Sequence, residues 1–92
     1  MKKLPRRDKM KIYGDFLFVM ADEAKTGKVV LTRVQLRMNV PFDRLKAYLD
    51  DVRRLGYIEQ EPSFKLTDKG RRYLREYEMV LDFMKRMGLA YR

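Results

Sequence analysis

Apolar side chains recur at steps of three and four residues in three stretches of this chain, and each stretch predicts an amphipathic helix with one buried face. The first predicted helix runs roughly from Asp8 to Lys25, the second from Pro41 to Leu55, and the third from Asp68 to about Met87. Their apolar faces are formed by Tyr13, Phe16, Leu17, Met20 and Ala24; by Phe42, Leu45, Leu49, Val52 and Leu55; and by Leu74, Tyr77, Leu81 and Met84.

Residues that disfavour helix separate these stretches. Thr26-Gly27 ends the first helix, and Gly56 follows the second as a left-handed terminator. Pro41 lacks the backbone N–H that a first-turn residue does not need, and it pushes Val40 out of the helical region, so it predicts a turn between two helices. The helix before that turn is short, begins with Thr32 as its N-cap, and carries Val34, Leu36 and Met38.

Three short segments rich in β-branched or aromatic residues predict strands. Val29–Leu31 is the first, and Tyr57–Glu61 and Phe64–Thr67 form a hairpin that turns at Pro62-Ser63. Within the hairpin, Ile58 and Leu66 are the residues we expect to face the core.

Thr67 then predicts the N-cap of the last helix, since its side chain can accept from the backbone of the first turn. The order of elements predicts a fold that is α+β and mainly helical. It is a winged helix-turn-helix with a small β-hairpin wing and an extended C-terminal helix.

The charge balance indicates what such a fold would bind. The chain has 92 residues, enough for a single domain, with 22 basic and 13 acidic side chains and a net charge of +9. A basic domain of this plan has the phosphate backbone of a nucleic acid as its expected partner.

Composition also argues against several classes of function. The chain has no cysteine and no histidine, and Ser63 is its one serine, so we expect no metal, no cofactor and no catalytic relay. No apolar run approaches the roughly 20 residues that span a bilayer, and we expect a cytoplasmic protein that is not an enzyme and does not bind membranes.

The second long helix is the predicted recognition helix. Its N-terminal part would meet base edges in the major groove, where Arg44 and Lys46 suit guanine or phosphate and Ala47 suits a thymine methyl group. Asp43, Asp50 and Asp51 on the same helix would sit poorly against phosphates. A solvated charged face is therefore the alternative interpretation of Arg44 and Lys46.

Phosphate contacts are predicted from basic residues on the neighbouring elements. From residue 65 to residue 75 the balance is five basic to one acidic, and the N-terminal arm Met1–Lys11 adds six basic residues. Alternatively, the basic residues of the last helix pair with Glu76, Glu78 and Asp82 along it. The predicted phosphate-binding residues are Arg33, Arg37, Lys65, Lys69, Arg71 and Arg72, with Arg75 beside them.

The last helix carries two apolar stripes, which is more than one packed face requires. We predict that one stripe covers the first helix, while Leu74, Tyr77, Leu81 and Met84 form a dimer interface. The alternative is that both stripes are buried within a monomer. The second stripe consists of Tyr73, Val80, Phe83 and Met87.

Three runs of sequence resemble the small archaeal winged helix-turn-helix proteins of about ten kilodaltons. They are Thr32-Arg33-Val34, Gly56-Tyr57-Ile58-Glu59-Gln60-Glu61 and Lys65-Leu66-Thr67-Asp68-Lys69-Gly70-Arg71. The Leu-Thr-x-x-Gly turn in the last run is shared widely among winged helices and identifies only the superfamily.

The resemblance implies a homodimer, paired through antiparallel C-terminal helices, that binds DNA as a chromatin protein or transcriptional regulator. By position, the recognition helix would be Pro41–Leu55, the wing Tyr57–Thr67 and the dimer helix Asp68–Met87. The organisation we predict is a basic arm over residues 1–11, a winged-helix domain over 12–73, and the rest of the dimerisation helix over 74–92.

Two features depart from that family. The last helix ends at Gly88, too early for a long rod, and the acidic residues of the recognition helix disfavour DNA. The alternative function is a winged helix that serves as a protein-protein or RNA-binding module in transcription or translation machinery.

Overall fold

The structure is a computed structural model that describes residues 5–89, with only the backbone described for residues 5–8. Four helices follow one another in this range: α1 (Pro5–Lys25), α2 (Leu31–Met38), α3 (Phe42–Arg54) and α4 (Asp68–Arg86). The three long helices predicted from apolar spacing are thus present, and the mainly helical character of the fold is confirmed.

Helix α1 is the centre of the fold and packs against each of the other three helices. Tyr13, Phe16, Leu17 and Met20 are buried as predicted, whereas Ala24 is exposed. Because α1 begins at Pro5, the second half of the predicted basic arm belongs to this helix. The rest of the arm lies outside the described residues. The core that surrounds α1 also contains Val34, Leu45, Leu49, Val52, Ile58 and Leu66.

The segment before α2 corrects one predicted strand. Val29 and Val30 pair with no other strand in the described part of the chain, and Leu31 is already helical. The N-cap is Val30, whose carbonyl accepts from the amides of Arg33 and Val34 at 3.0 and 3.2 Å, so Thr32 is not the cap. Three β-branched or aliphatic residues cannot form a strand without a neighbouring edge to pair with.

The turn between α2 and α3 follows the prediction closely. Asn39 adopts a left-handed conformation with φ of 58°, and Pro41 is the extended N-cap of α3. Gly56, with φ of +88°, follows the C-cap of α3.

The buried faces of α2 and α3 are narrower than predicted, because three apolar residues assigned to these faces lie on the surface. Leu36 is 77% exposed, Phe42 41% and Leu55 38%.

The hairpin after α3 is reduced to one antiparallel bridge, between Ile58 and Leu66, and the described residues contain no strand. Both bridge residues are buried, as predicted, but the predicted strands Tyr57–Glu61 and Phe64–Thr67 are wrong. The segment between the bridge residues, 59–65, is called the wing below. The wing is too short for a ladder, and Pro62 at its tip has no N–H to donate.

Helix α4 begins as its sequence motif predicts. The Thr67 hydroxyl accepts a hydrogen bond of 3.1 Å from the amide of Gly70 and donates to the carbonyl of Gly56. Gly70 is buried so close to the carbonyl oxygen of Tyr57 that a Cβ there would overlap that backbone atom. The Leu-Thr-x-x-Gly motif therefore supplies a buried bridge residue, a helix cap and a close contact between α4 and the start of the hairpin.

Helices α1 and α4 run in the same direction and pack through a second close contact. The Tyr73 hydroxyl donates to the carbonyl of Met10 at 2.8 Å, and the Tyr77 hydroxyl donates to the Asp15 carboxylate at 3.2 Å. The ring of Tyr77 occupies the space where a Cβ on Gly14 would lie. Among the described helices, none combines the length and the apolar character needed to cross a membrane.

Candidate nucleic-acid interface

Helix α3 presents a continuous exposed face away from the core. Asp43, Ala47 and Asp50 are all exposed and follow one line along the helix, because they lie at steps of four and three residues. Arg44 and Lys46 are exposed as well, but two residues along a helix correspond to a rotation of about 160° between them. The two predicted base-contacting cations therefore lie on opposite flanks of the face, with Ala47 between them.

Each flank faces a different part of the fold. Lys46 lies on the side of α3 that also carries Arg53, whose guanidinium contacts the wing. Arg44 lies on the side of Asp51, which is hydrogen-bonded to α1. Neither Arg44 nor Lys46 forms an ion pair or a side-chain hydrogen bond with any residue in the described range.

One of the three acidic residues of α3 has a structural partner. The carboxylate of Asp51 accepts a hydrogen bond of 2.7 Å from the hydroxyl of Tyr13 and pairs with Arg54 at 3.0 Å. Burial, together with the hydrogen bond to Asp51, raises the pKa of Tyr13 to about 12. Asp51 is therefore turned toward α1, and Asp43 and Asp50 remain as the exposed carboxylates of this face.

The two predicted phosphate contacts on α2 are occupied within the protein. Glu23, a buried residue of α1, accepts from Arg33 at 2.9 Å and from Arg37 at 3.0 Å, and Arg37 also pairs with Asp22 at 2.9 Å. The hydrogen bond from Arg33 and then that from Arg37 hold the pKa of Glu23 below its usual range. The hydrogen bonds that Arg37 donates to Glu23 and to Asp22 raise the pKa of Arg37.

These pairs join α1 to α2 over 10 to 15 positions in sequence. The sequence analysis did not identify Asp22 and Glu23. The one signal available was that these two adjacent acidic residues lie near the end of the first helix, shortly before a helix that contains two arginines. The prediction that Arg33 and Arg37 contact phosphates is therefore weakened, although both side chains are partly exposed.

The basic cluster at the start of α4 is divided between structural and unpaired residues. Lys69 donates to the carbonyl of Leu55 at 2.7 Å and lies 5.2 Å from the centre of the Tyr57 ring, so it caps the end of α3. Arg71 donates to the carbonyl of Leu66 and pairs with Asp68. Arg72 pairs with Glu76 at 2.9 Å, which is one of the pairs that the alternative interpretation expected.

Lys65 on the wing and Arg75 on α4 are different. Both are exposed, and within residues 5–89 neither has an ion pair or a side-chain hydrogen bond. Lys65, like Arg44 and Lys46 on α3, is available to an anionic ligand, whereas Arg75 lies beside the exposed apolar residues Met79 and Phe83 of α4.

The predicted dimer stripe on α4 needs correction. Tyr77 is only 5% exposed and packs on α1, so it is not available to a second copy, and Leu74 is half-buried against the core. Leu81 and Met84 are half-buried. The apolar residues that remain exposed on α4 and its C-cap belong mostly to the other side of the helix: Met79 is 68% exposed, Phe83 52% and Met87 55%.

Comparison with known proteins matches nearly the whole chain to one family. A family model described as winged helix-turn-helix matches residues 6–85, from the second residue of α1 to the last turn of α4. No curated protein and no solved structure matches the chain. In the described residues no group of acidic side chains is arranged to hold a metal ion.

Proposed function

The chain belongs to the winged helix-turn-helix family, and on that premise we propose that it binds duplex DNA as a homodimeric transcriptional regulator or chromatin-associated protein. Helix α3 enters the major groove, and basic residues around it contact the phosphates. In this mode of docking, the N-terminal residues of the second helix of the motif reach the base edges while the first helix crosses the backbone.

The observation that carries the proposal is that Arg44 and Lys46 are exposed on the first turns of α3 without ion pairs in the described residues. An unpaired guanidinium or ammonium can bind guanine or phosphate without first breaking an internal contact. Ala47, between them, is small enough to admit a thymine methyl group, and its position on the centre of the face brings it closest to the bases.

Affinity should come mainly from phosphates. Lys65 adds a further unpaired cation, and the net charge of +9 attracts a polyanion at long range. Such contacts carry little sequence information, and binding through them falls steeply as salt displaces the protein from the DNA. Arg33 and Arg37 contribute only if a phosphate competes successfully with Glu23.

The proposed homodimer uses the exposed apolar side of α4. Met79, Phe83 and Met87 lie at four-residue steps and form one stripe, beside a shallow depression of about 490 Å³ that Val80 and Arg75 help to line. A monomer would leave this stripe in water, and burying it against the same stripe of a second copy removes that cost. No catalytic role is proposed for any residue.

A second function is favoured by one specific observation. Asp43 and Asp50 lie along the middle of the exposed face of α3, where a phosphate would be repelled. A basic partner, such as a protein of the transcription or translation machinery, would be attracted there instead. An RNA-binding module is the related possibility.

Fluorescence anisotropy with labelled nucleic acids distinguishes these functions. A random 20-base-pair duplex, a single-stranded RNA of equal length and a basic peptide would each be titrated at two salt concentrations. We expect the duplex to bind most tightly and to lose affinity sharply at the higher salt. A preference for the RNA or the peptide at matched ionic strength would contradict the proposal.

A further inference from the structure

Arg53, in the last turn of α3, is a buried cation that the proposed contacts with DNA do not use. The residue is only 7% exposed, and its guanidinium lies beneath the wing. Nε donates to the carbonyl of Glu59 at 2.9 Å, and Nη2 donates to the carbonyl of Ser63 at 2.6 Å. The same group lies 5.6 Å from the centre of the Phe64 ring and 3.6 Å from the carboxylate of Glu61.

These contacts reach both arms of the wing. Glu59 lies on the chain that leaves α3, and Ser63 and Phe64 lie on the chain that returns toward α4. A guanidinium presents its donors in a rigid planar fork, so it can hold two carbonyls at a fixed separation, whereas an ammonium is a single rotatable point. Arg53 therefore connects the two arms to each other and both of them to α3.

Few other contacts in the described residues hold the wing. Beyond the bridge between Ile58 and Leu66, the amide of Glu59 donates to the carbonyl of Lys65 at 2.9 Å, and the amide of Ser63 donates across the turn to Gln60. The Ser63 hydroxyl donates to the exposed carboxylate of Glu59 at 3.0 Å and accepts from the amide of Lys65 at 3.0 Å. An open cleft of about 390 Å³ lies between α3 and the wing. The wing thus has room to move if the fork is lost.

We propose that Arg53 is a positioning residue that fixes the wing relative to the recognition helix, so that Lys65 meets a phosphate while α3 lies in the groove. This inference rests on the proposed DNA-binding function. It assigns Arg53 no contact with DNA, because its guanidinium is already occupied by the wing. The arginine acts through the position of Lys65.

The test compares R53K, K65A and the double variant in salt titrations with a random duplex. Replacing Lys65 should raise Kd severalfold and reduce the slope of log K against log salt by about 0.9, the loss of one phosphate contact. R53K keeps the charge but loses the fork, and it should produce the same reduction. The double variant should bind no more weakly than K65A alone, because both changes remove the same contact between Lys65 and a phosphate.

Two controls separate positioning from general effects. R86K makes the same chemical change on an exposed residue of α4 and should leave affinity and salt slope unchanged. Amide hydrogen exchange at Glu59 and Ser63 should accelerate at least tenfold in R53K, whereas exchange at Leu49 within α3 should not change. Measurements are made at a temperature at which circular dichroism shows each variant folded.

F64L provides a second route that leaves α3 intact, since it removes only the ring beside the guanidinium. It should shift the salt slope in the same direction by a smaller amount, and it serves as the test if R53K does not fold. The inference is overturned if R53K and F64L keep the wild-type salt slope, or if the effects of R53K and K65A multiply. If K65A binds like the wild type, this inference fails and the proposed function stands; if the wild type binds no duplex, both fail.

Discussion

The hydroxyl of Tyr13 in α1 donates a hydrogen bond of 2.7 Å to the carboxylate of Asp51 in α3, across 38 positions of sequence. The bond ties the central helix of the core to the proposed recognition helix. It also turns a carboxylate toward α1 that would otherwise repel phosphate, so one of the three acidic residues that argued against DNA binding has a structural role.

The first prediction concerns this bond. Y13F should lower the free energy of unfolding at neutral pH by about 1 to 2 kcal/mol, because Asp51 is charged and loses one of its two partners. Since the pKa of Tyr13 rises in the folded state from 10.0 to about 12, its contribution is complete below pH 10 and is lost as the pH rises through 12.

Urea unfolding at pH 8 and pH 11.5 checks both expectations. The wild type should lose more stability than Y13F between these values. Y48F is the matched control, because the Tyr48 hydroxyl makes no hydrogen bond within residues 5–89, and it should behave like the wild type. Equal stability of the wild type and Y13F at pH 8 would show that the bond contributes nothing, and equal pH dependence would show that folding does not raise the pKa of Tyr13.

The second prediction concerns the flanks of α3. The double variant R44A/K46A should weaken duplex binding and reduce the salt slope by up to about 1.8, as expected for two phosphate contacts. K85A/R86A removes the same charge from the distant end of α4 and should change the slope much less. The free energy of unfolding of both variants should stay within about 0.5 kcal/mol of that of the wild type, since all four side chains are on the surface. Equal losses of affinity in the two double variants would indicate that only net charge matters.

The third prediction concerns the pairing of α1 with α2. E23Q should lower the melting temperature at pH 7, because Arg33 and Arg37 of α2 lose the charged carboxylate of Glu23, which is buried in α1. The pKa of Glu23 is lowered on folding, so its contribution is present above the unfolded value of 4.5 and is lost as the pH falls below it. The difference in melting temperature between E23Q and the wild type should therefore shrink as the pH is lowered below 4.5.

D22N is the matched control, since within the described residues Asp22 pairs only with Arg37, and it is partly exposed. It should have a smaller effect on melting at pH 7. A drop in D22N as large as that in E23Q would contradict the central role of Glu23. Stronger duplex binding by E23Q would indicate that the released arginines can reach phosphates.

The fourth prediction concerns the exposed stripe of α4. M79E/F83E should sediment as a monomer at concentrations where the wild type is a dimer, because two carboxylates would enter an apolar contact. Both residues are on the surface of the protomer, so the variant should keep its helical circular dichroism. L36E changes an exposed apolar residue on α2 and should leave sedimentation unchanged. A wild type that sediments as a monomer would remove the dimer proposal.

Local signals in the sequence were sufficient for most of the helical framework. Pro41 and Gly56 mark the bounds of α3 by fixing backbone conformation, and Thr67 with Gly70 marks the start of α4 by a cap and a close contact. Where pairing with a distant partner decides the outcome, the local signals misled. Val29–Leu31 has strand-like residues but no edge to join, and the wing segments have strand-like residues but too little length.

The candidate site was less predictable, since a basic residue on a helix gives no indication of what lies opposite it. Arg33, Arg37 and Lys69 looked like free cations, yet each is occupied by a group 10 or more positions away. Conversely, nothing in the sequence distinguishes Arg53 from the exposed cations of α3, yet it is buried. Helical periodicity identifies the buried face of a helix. Whether a side chain at the edge of that face is buried depends on how far the neighbouring elements extend around the helix.

Arg53 donates hydrogen bonds to two main-chain carbonyls of the wing, and these carbonyls are present whatever side chains the residues carry. The tip of the wing can therefore exchange its outward-facing residues without losing its placement beside α3. A library that varies Gln60, Glu61 and Lys65 while keeping Arg53 and Phe64 would sample new ligand contacts on an unchanged backbone. The ligand preference of the wing could therefore be changed without changing its fold.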